Sequence, residues 1–218
     1  PEPHDCDVAI AGCGPTGVVL ANLLGGLGVR VVVLDREREV YPVPRATHVD
    51  EETLRNFQAT GLAGELLPHT APFGRIQVVD ADGALLLEDR VEDPGTPHGY
   101  AGSRFFDQPA FERALRAGLA RYDAVRLLTG VEVVDVEPHG ATAVVRARRA
   151  DTLKPVEVRA SWVVGCDGGR SAVRSALGVE IEWLAPKRRW LIVDTLLREP
   201  ADAELLPTCF RYRGGARA

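Results

Sequence analysis

The chain has 218 residues, 45% of them hydrophobic, and a formal net charge of -5. That length suits one large domain or one and a half small ones, and the mildly acidic balance gives no support for a nucleic-acid partner, which would favour a basic surface. No apolar run reaches the ~18 residues that a membrane span requires, and the four cysteines and five histidines lack the spacing of metal ligands. We therefore expect a soluble, cytoplasmic protein with no membrane contact and no metal site.

The N-terminal part of the chain predicts a βαβ unit of the usual ~30 residues. An apolar run over 7–11 predicts a strand that is buried on both faces, and the pattern over 15–27 predicts a helix. A second apolar run over 30–34 predicts another buried strand, which Asp35 closes.

Strands and helices continue to alternate along the chain, which indicates an α/β fold with a parallel sheet and antiparallel additions. After a loop over 36–47, a helix is predicted over 50–60, with Asp50 as N-cap and Gly61 as C-cap, and a hairpin follows whose strands 76–80 and 84–88 flank Asp82-Gly83. A second loop over 89–103 leads to a helix over 109–121. The rest of the chain predicts strands over 131–136, 141–148, 156–159 and 161–164, a helix over 171–177 and a strand over 190–197.

The first motif with chemical meaning is the glycine-rich turn Gly12-Cys13-Gly14-Pro15-Thr16-Gly17. In a dinucleotide fingerprint the first glycine permits a tight turn, the second lets a pyrophosphate approach the backbone, and the third lets helix and strand pack closely. Asp35 follows about 20 positions later, where a carboxylate accepts hydrogen bonds from an adenosine ribose. The alternative is a glycine-rich turn with no ligand. This motif alone does not separate NAD from FAD, although Asp35 weighs against a 2′-phosphate.

Three further features extend the predicted nucleotide site. Arg36 either stacks on the adenine or is a solvated surface arginine. Pro44-Arg45-Ala46 precedes the second predicted helix. The strand over 161–164 ends in Gly165-Cys166-Asp167-Gly168, which places a carboxylate where backbone comes close to a ligand; the alternative is an ordinary turn in which Asp167 caps the next helix.

In this order the motifs resemble the class A flavoprotein monooxygenases, the para-hydroxybenzoate hydroxylase-like family, and within it the 3-(3-hydroxyphenyl)propionate hydroxylases. Segments 41–46, 50–55, 58–62 and 190–194 carry the likeness to the latter group. The resemblance implies that Arg45 contacts FAD, that Gln108 lies near the flavin ribityl chain, and that Asp167 supports both FAD and NAD(P)H binding. It also implies that the ADP half of FAD is held by Gly12, Gly14, Pro15, Thr16, Gly17 and Asp35. For Gln108, a side chain that faces solvent beside the helix N-terminus is the alternative.

The function that the resemblance implies is hydroxylation of a phenolic substrate. FAD would be reduced by NADH or NADPH and would react with dioxygen to give a C4a-hydroperoxide, while no side chain is assigned as catalytic. The resemblance also allows for a homodimer, which is common in the family. We expect an FAD-binding domain over 1–182, the beginning of a substrate-binding domain over 183–218, a trimmed start because the chain has no Met, and an end before the family's third fingerprint. Two alternatives remain open: a polyketide-tailoring hydroxylase and a non-catalytic FAD-binding module.

Overall fold

The computed structural model describes residues 5–90, 99–100 and 102–184, and the backbone of 209–213. Its strands, in chain order, are β1 (Cys6–Ala11), β2 (Val31–Asp35), β3 (His48–Asp50), β4 (Thr70–Pro72), β5 (Arg75–Val79), β6 (Leu85–Arg90), β7 (Ser103–Phe106), β8 (Val125–Thr129), β9 (Val131–His139), β10 (Thr142–Arg149), β11 (Pro155–Gly165) and β12 (Cys209–Arg213). Its helices are α1 (Pro15–Gly26), α2 (Glu51–Ala59), α3 (Ala63–Leu66), α4 (Gln108–Gly118) and α5 (Ala172–Ala176). The strand predicted over 190–197 lies outside the described residues.

The chain divides into two compact units. The first consists of Pro1–Pro42 and Glu112–Trp190, and the second of Val43–Phe111 and Leu191–Ala218, so that the division falls within α4. The predicted domain boundary between 182 and 183 stays a prediction.

The first unit is built on a six-stranded sheet in the order β8-β2-β1-β11-β10-β9. β8, β2, β1 and β11 run parallel, whereas β10 pairs antiparallel with β11 and β9 pairs antiparallel with β10. All five residues of β2 are buried, because in a doubly wound sheet both faces are covered. The predicted fold class, a parallel sheet with antiparallel additions, is therefore confirmed.

The second unit contains two three-stranded sheets, β12-β5-β6 and β3-β7-β4. β5 and β6 form the predicted hairpin, and Gly83 adopts a φ of +91° in its turn. Asp50 caps α2 as predicted, since its side chain accepts a hydrogen bond from the Thr53 N–H at 2.8 Å. Edge-to-face contacts of Phe111 with Phe57 and Phe106, at centroid distances of 5.3 and 5.0 Å, contribute to the packing of this unit.

Several elements differ from the predicted ones. The two strands predicted over 156–159 and 161–164 form one continuous strand, β11, which pairs with β1 on one side and β10 on the other. The strands β3, β4, β7 and β8 and the short helix α3 were not predicted. All of these are three to five residues long, which is too short for a periodic pattern to develop.

Candidate cofactor-binding site

Three turns of the first unit meet at one edge of the six-stranded sheet, where the parallel strands β1, β2 and β11 end. The Gly12 N–H donates to the Leu34 carbonyl at 2.7 Å, and the Cys166 N–H donates to the Ala11 carbonyl at 2.7 Å. In doubly wound sheets, ligands bind outside the carboxyl ends of the strands. The fold thus brings together the glycine-rich turn, Asp35 and Asp167, which are far apart in sequence.

The glycine-rich turn has two positions with no room for a side chain and one position with open space. A Cβ on Gly12, whose φ is +95°, would lie 2.5 Å from the Cys166 carbonyl oxygen, and a Cβ on Gly17 would lie 2.0 Å from the Gly12 carbonyl oxygen. A Cβ on Gly14, by contrast, would meet no atom within 4 Å beyond its own chain neighbours. The open side of Gly14 is where a ligand can approach the backbone.

The N-terminus of α1 follows this opening directly. Gly14 is the N-cap and offers no side chain to the first turn, Pro15 occupies the first turn, and no acidic residue lies there. The N–H groups of Thr16 and Gly17 have no acceptor within a regular helix at these positions, and the helix dipole favours an anion. This arrangement fits the pyrophosphate of a dinucleotide.

Asp35 closes β2 and is held beneath the glycine-rich turn. Its Oδ2 accepts the Cys13 N–H at 2.6 Å and a guanidinium N–H of Arg116 at 3.1 Å, and its Oδ1 accepts the Glu37 N–H at 2.8 Å. The residue is 7% exposed. A carboxylate offers about four acceptor positions, so one remains for a hydroxyl group such as that of a ribose. The contact from Arg116 was not predicted from the sequence.

Asp167 lies in the turn after β11 and has two oxygens in different surroundings. Oδ2 accepts the N–H of Ala172 at 2.6 Å and of Val173 at 3.3 Å, which caps α5. Oδ1 is buried and has no hydrogen-bond partner among the described residues. The capping alternative is therefore observed, and the second oxygen is still available for a ligand donor, since buried acceptors are rarely left unpaired.

Two further predicted residues come together in the second unit. The Gln108 side-chain oxygen accepts the N–H groups of Arg45 and Ala46, both at 2.7 Å, and Gln108 is 4% exposed. The alternative in which Gln108 faces solvent is wrong, because this residue anchors the loop that carries Arg45. A contact of either side chain with the cofactor stays a prediction.

Arg36 lies just beyond Asp35 in the first unit and is exposed. Its guanidinium forms an ion pair with Glu37 at 3.1 Å. The predicted stacking of Arg36 on an adenine stays a prediction.

Cys13 and Cys166 lie within the turns and carry neutral thiols. Burial raises the pKa of the Cys13 thiol to about 12, with Arg116 opposing the shift, and burial also raises the pKa of Cys166. A neutral thiol is a poor nucleophile, so neither group suits covalent catalysis. Over the ranges that the structure describes, no group of three or more His, Cys, Asp or Glu residues is placed to hold a metal ion. The same ranges contain no helix with the length and apolar character needed to cross a bilayer.

A family model described as FAD binding domain matches residues 5–210. The chain belongs to this family. The match includes the glycine-rich turn, Asp35 and Asp167, so the cofactor predicted from the sequence, FAD, is confirmed at the level of the family.

Curated relatives confirm the resemblance to aromatic hydroxylases. The chain is 37% identical over 193 residues to the 3-(3-hydroxy-phenyl)propionate/3-hydroxycinnamic acid hydroxylase of Mycolicibacterium smegmatis. The match covers 88% of this chain and 34% of that relative. It is 40% identical over 199 residues to the protein of the same name from Paraburkholderia xenovorans, covering 88% of this chain and 30% of that relative. The chain thus spans about one third of the length of these relatives.

Solved structures share the fold. The flavin-dependent monooxygenase PieE, in complex with FAD and substrate, matches with a TM-score of 0.73 and 23% identity over 81% of this chain and 32% of that chain. A ternary complex of aklavinone-11 hydroxylase with FAD and aklavinone matches with a TM-score of 0.69 and 27% identity over 82% of this chain and 36% of that chain. OxyS anhydrotetracycline hydroxylase from Streptomyces rimosus matches with a TM-score of 0.68 and 29% identity over 83% of this chain and 35% of that chain.

Proposed function

We propose that the protein carrying this chain is an FAD-dependent, NAD(P)H-consuming monooxygenase that hydroxylates a phenolic substrate with dioxygen. The observation that carries the proposal is the meeting of the glycine-rich turn, Asp35 and Asp167 at one sheet edge, in a chain whose curated relatives are named as hydroxylases of hydroxyphenyl acids. A reduced flavin supplies the oxygen-activating chemistry in such enzymes, and the protein supplies binding, orientation and electrostatics.

Each residue of the sheet edge has a defined task in this proposal. Gly12 and Gly17 keep the turn tight, and Gly14 leaves space for the pyrophosphate. Pro15 and Thr16 begin the helix whose dipole faces it, and Asp35 accepts a hydrogen bond from the adenosine ribose. The second oxygen of Asp167 accepts a hydrogen bond from the cofactor.

The other predicted cofactor-binding residues are Arg45, Gln108 and Arg36. Arg45 binds FAD from a loop that Gln108 fixes through two backbone N–H groups. Arg36 lies next to the ribose-binding carboxylate, where its guanidinium plane can stack on the adenine.

The curated relatives supply the first candidate substrate class, and two solved structures favour a second one. The curated relatives point to hydroxyphenyl propionates and hydroxycinnamates. Two solved neighbours at 27% and 29% identity are named as hydroxylases of aklavinone and anhydrotetracycline, which favours a larger polycyclic phenol as the second candidate. The proposal further includes a cytoplasmic location, which the free thiols of Cys6, Cys13 and Cys166 suit, and a homodimer as in the family.

The test uses the full-length protein that carries this sequence. Its visible spectrum and the HPLC retention of the heat-released small molecule identify the cofactor; we expect FAD. NADH and NADPH consumption is then measured with hydroxyphenyl propionates, hydroxycinnamates and polycyclic phenols under ¹⁸O₂, and product mass is determined. We expect one labelled oxygen in the product. Bound NAD(H) without flavin would contradict the cofactor assignment, and bound FAD without turnover on any phenol would favour the non-catalytic module.

A further inference from the structure

Arg116 on α4 contacts the glycine-rich turn directly. One of its terminal nitrogens, Nη2, donates to the Cys13 carbonyl at 2.9 Å and to Asp35 Oδ2 at 3.1 Å. The Arg116 and Asp35 side chains are 11% and 9% exposed. The guanidinium therefore joins the backbone of the turn to the carboxylate at the end of β2.

The position of Arg116 is fixed by a second buried contact between α1 and α4. The Asn22 side chain, 0% exposed, donates to the Val18 carbonyl within α1 at 2.8 Å and to the Leu115 carbonyl on α4 at 2.9 Å. Arg121 in turn donates to the Asn22 side-chain oxygen at 3.1 Å. Because Leu115 precedes Arg116, this contact holds the helix segment from which the guanidinium reaches the turn.

The charge of Arg116 offsets that of a buried carboxylate. A buried carboxylate without a counter-ion is strongly destabilised, and its own charge would repel the phosphates of a dinucleotide. The ion pair reduces this repulsion while leaving an acceptor position on Asp35 for a hydroxyl donor. Arg116 Nε and Nη1 are also buried and have no hydrogen-bond partner among the described residues, so the guanidinium forms its described contacts only toward the turn and Asp35.

We propose that Arg116 is a positioning residue for the adenosine half of FAD, acting through Asp35 and the Cys13 carbonyl. This inference rests on the proposed function, in which Asp35 accepts a hydrogen bond from the ribose. Arg116 holds that carboxylate and the turn in their binding geometry before the cofactor arrives, and it lowers the repulsion between Asp35 and the pyrophosphate.

A double-mutant cycle on the full-length protein tests the coupling. Arg116→Met and Asp35→Asn should each weaken FAD binding about tenfold to a hundredfold, which corresponds to the loss of a charge-assisted hydrogen bond. The double variant should lose little more than either single one, because both act through the same pair. Arg116→Lys should recover part of the affinity. Arg38→Met, which removes an exposed ion pair with Asp151 in the same unit, is the matched control and should bind FAD like the parent.

A second readout separates positioning from general loss of structure. FMN lacks the adenosine, so its dissociation constant should be unchanged in the Arg116 variants while that of FAD rises. Equal losses for FAD and FMN, multiplicative losses in the double variant, or parent-like FAD binding in Arg116→Met would each overturn the proposal. If Arg116→Met fails to fold, Arg116→Lys decides: a selective loss of FAD affinity supports the proposal and an unselective loss refutes it. A parent protein that binds no FAD would instead refute the proposed function.

Discussion

Substitutions at Asp167 separate a structural task from a ligand-binding one. Asp167→Ala removes both the oxygen that caps α5 and the buried oxygen without a described partner. Loss of a helix cap costs about 1 kcal/mol of folding free energy. Loss of a hydrogen bond between a carboxylate and the cofactor costs about 1.5–3 kcal/mol of binding free energy, or about a ten- to hundredfold rise in the FAD dissociation constant.

Ser171→Ala provides a matched control on the same helix. The Ser171 hydroxyl accepts the Arg174 N–H at 2.9 Å, so this variant loses one cap bond of α5 and leaves the Asp167 carboxylate in place. We expect both variants to lower the melting temperature of the apoprotein by similar amounts. Asp167→Ala alone should raise the FAD dissociation constant and slow flavin reduction by NADH or NADPH.

The measurements are thermal unfolding without cofactor, FAD titration by flavin fluorescence, and stopped-flow reduction of the full-length protein. Asp167→Asn adds a third variant, since it keeps an acceptor for the cap and loses the charge. It should therefore retain the parent melting temperature and bind FAD more weakly. If Asp167→Ala matches Ser171→Ala in all three measurements, Asp167 is a turn residue only and the ligand-binding interpretation is refuted.

Gly14→Ala should leave the melting temperature of the apoprotein unchanged and weaken FAD binding, because its Cβ would meet no atom within 4 Å beyond its chain neighbours but would occupy the space of the pyrophosphate. Gly17→Ala should lower that melting temperature, since its Cβ would lie 2.0 Å from a backbone oxygen; the reverse ranking would contradict the geometry. Gln108→Leu should cost about 1–3 kcal/mol in urea unfolding, because the Arg45 loop loses a buried acceptor, and Gln108→Glu should cost less. Cys13 should alkylate very slowly at pH 8, since a pKa of about 12 leaves almost no thiolate; rapid labelling by mass spectrometry would refute its burial.

Local chemistry was sufficient to predict part of the fold and of the site. Asp82-Gly83 between two apolar runs specifies a hairpin because glycine adopts the positive φ that the turn requires, and Gly83 does so at +91°. Gly12 is comparable, since its φ of +95° and its contact with Cys166 exclude any side chain. Where a turn within one short segment requires a positive φ or leaves no room for a side chain, the glycine at that position is enough to predict the turn.

Pairing partners explain what the sequence did not reveal. β8 contains an exposed Arg126 and has no clear alternation, yet it forms because it adds parallel to the edge of β2. The prediction divided β11 between Arg159 and Ser161, two polar residues on the face opposite to the buried Val158 and Ala160. Alternation of this kind belongs to a half-covered strand, but two flanking partners were needed to make the strand continuous.

The role of Arg116 could not have been inferred from its helix alone. Phe111 and Leu115 on α4, and Leu119 directly after it, are buried at a spacing of four, and Glu112 and Arg116 each follow one position later, on the flank of that face. Such a Glu–Arg pair four residues apart is equally typical of a solvated helix surface, where it contributes little to stability. The difference lies in Asp35, which the βαβ connection brings to the same sheet edge and which is buried there at 7% exposure. A carboxylate buried at a nucleotide-binding turn requires a counter-charge that leaves its outer acceptor position open, and Arg116 meets that requirement from below the turn.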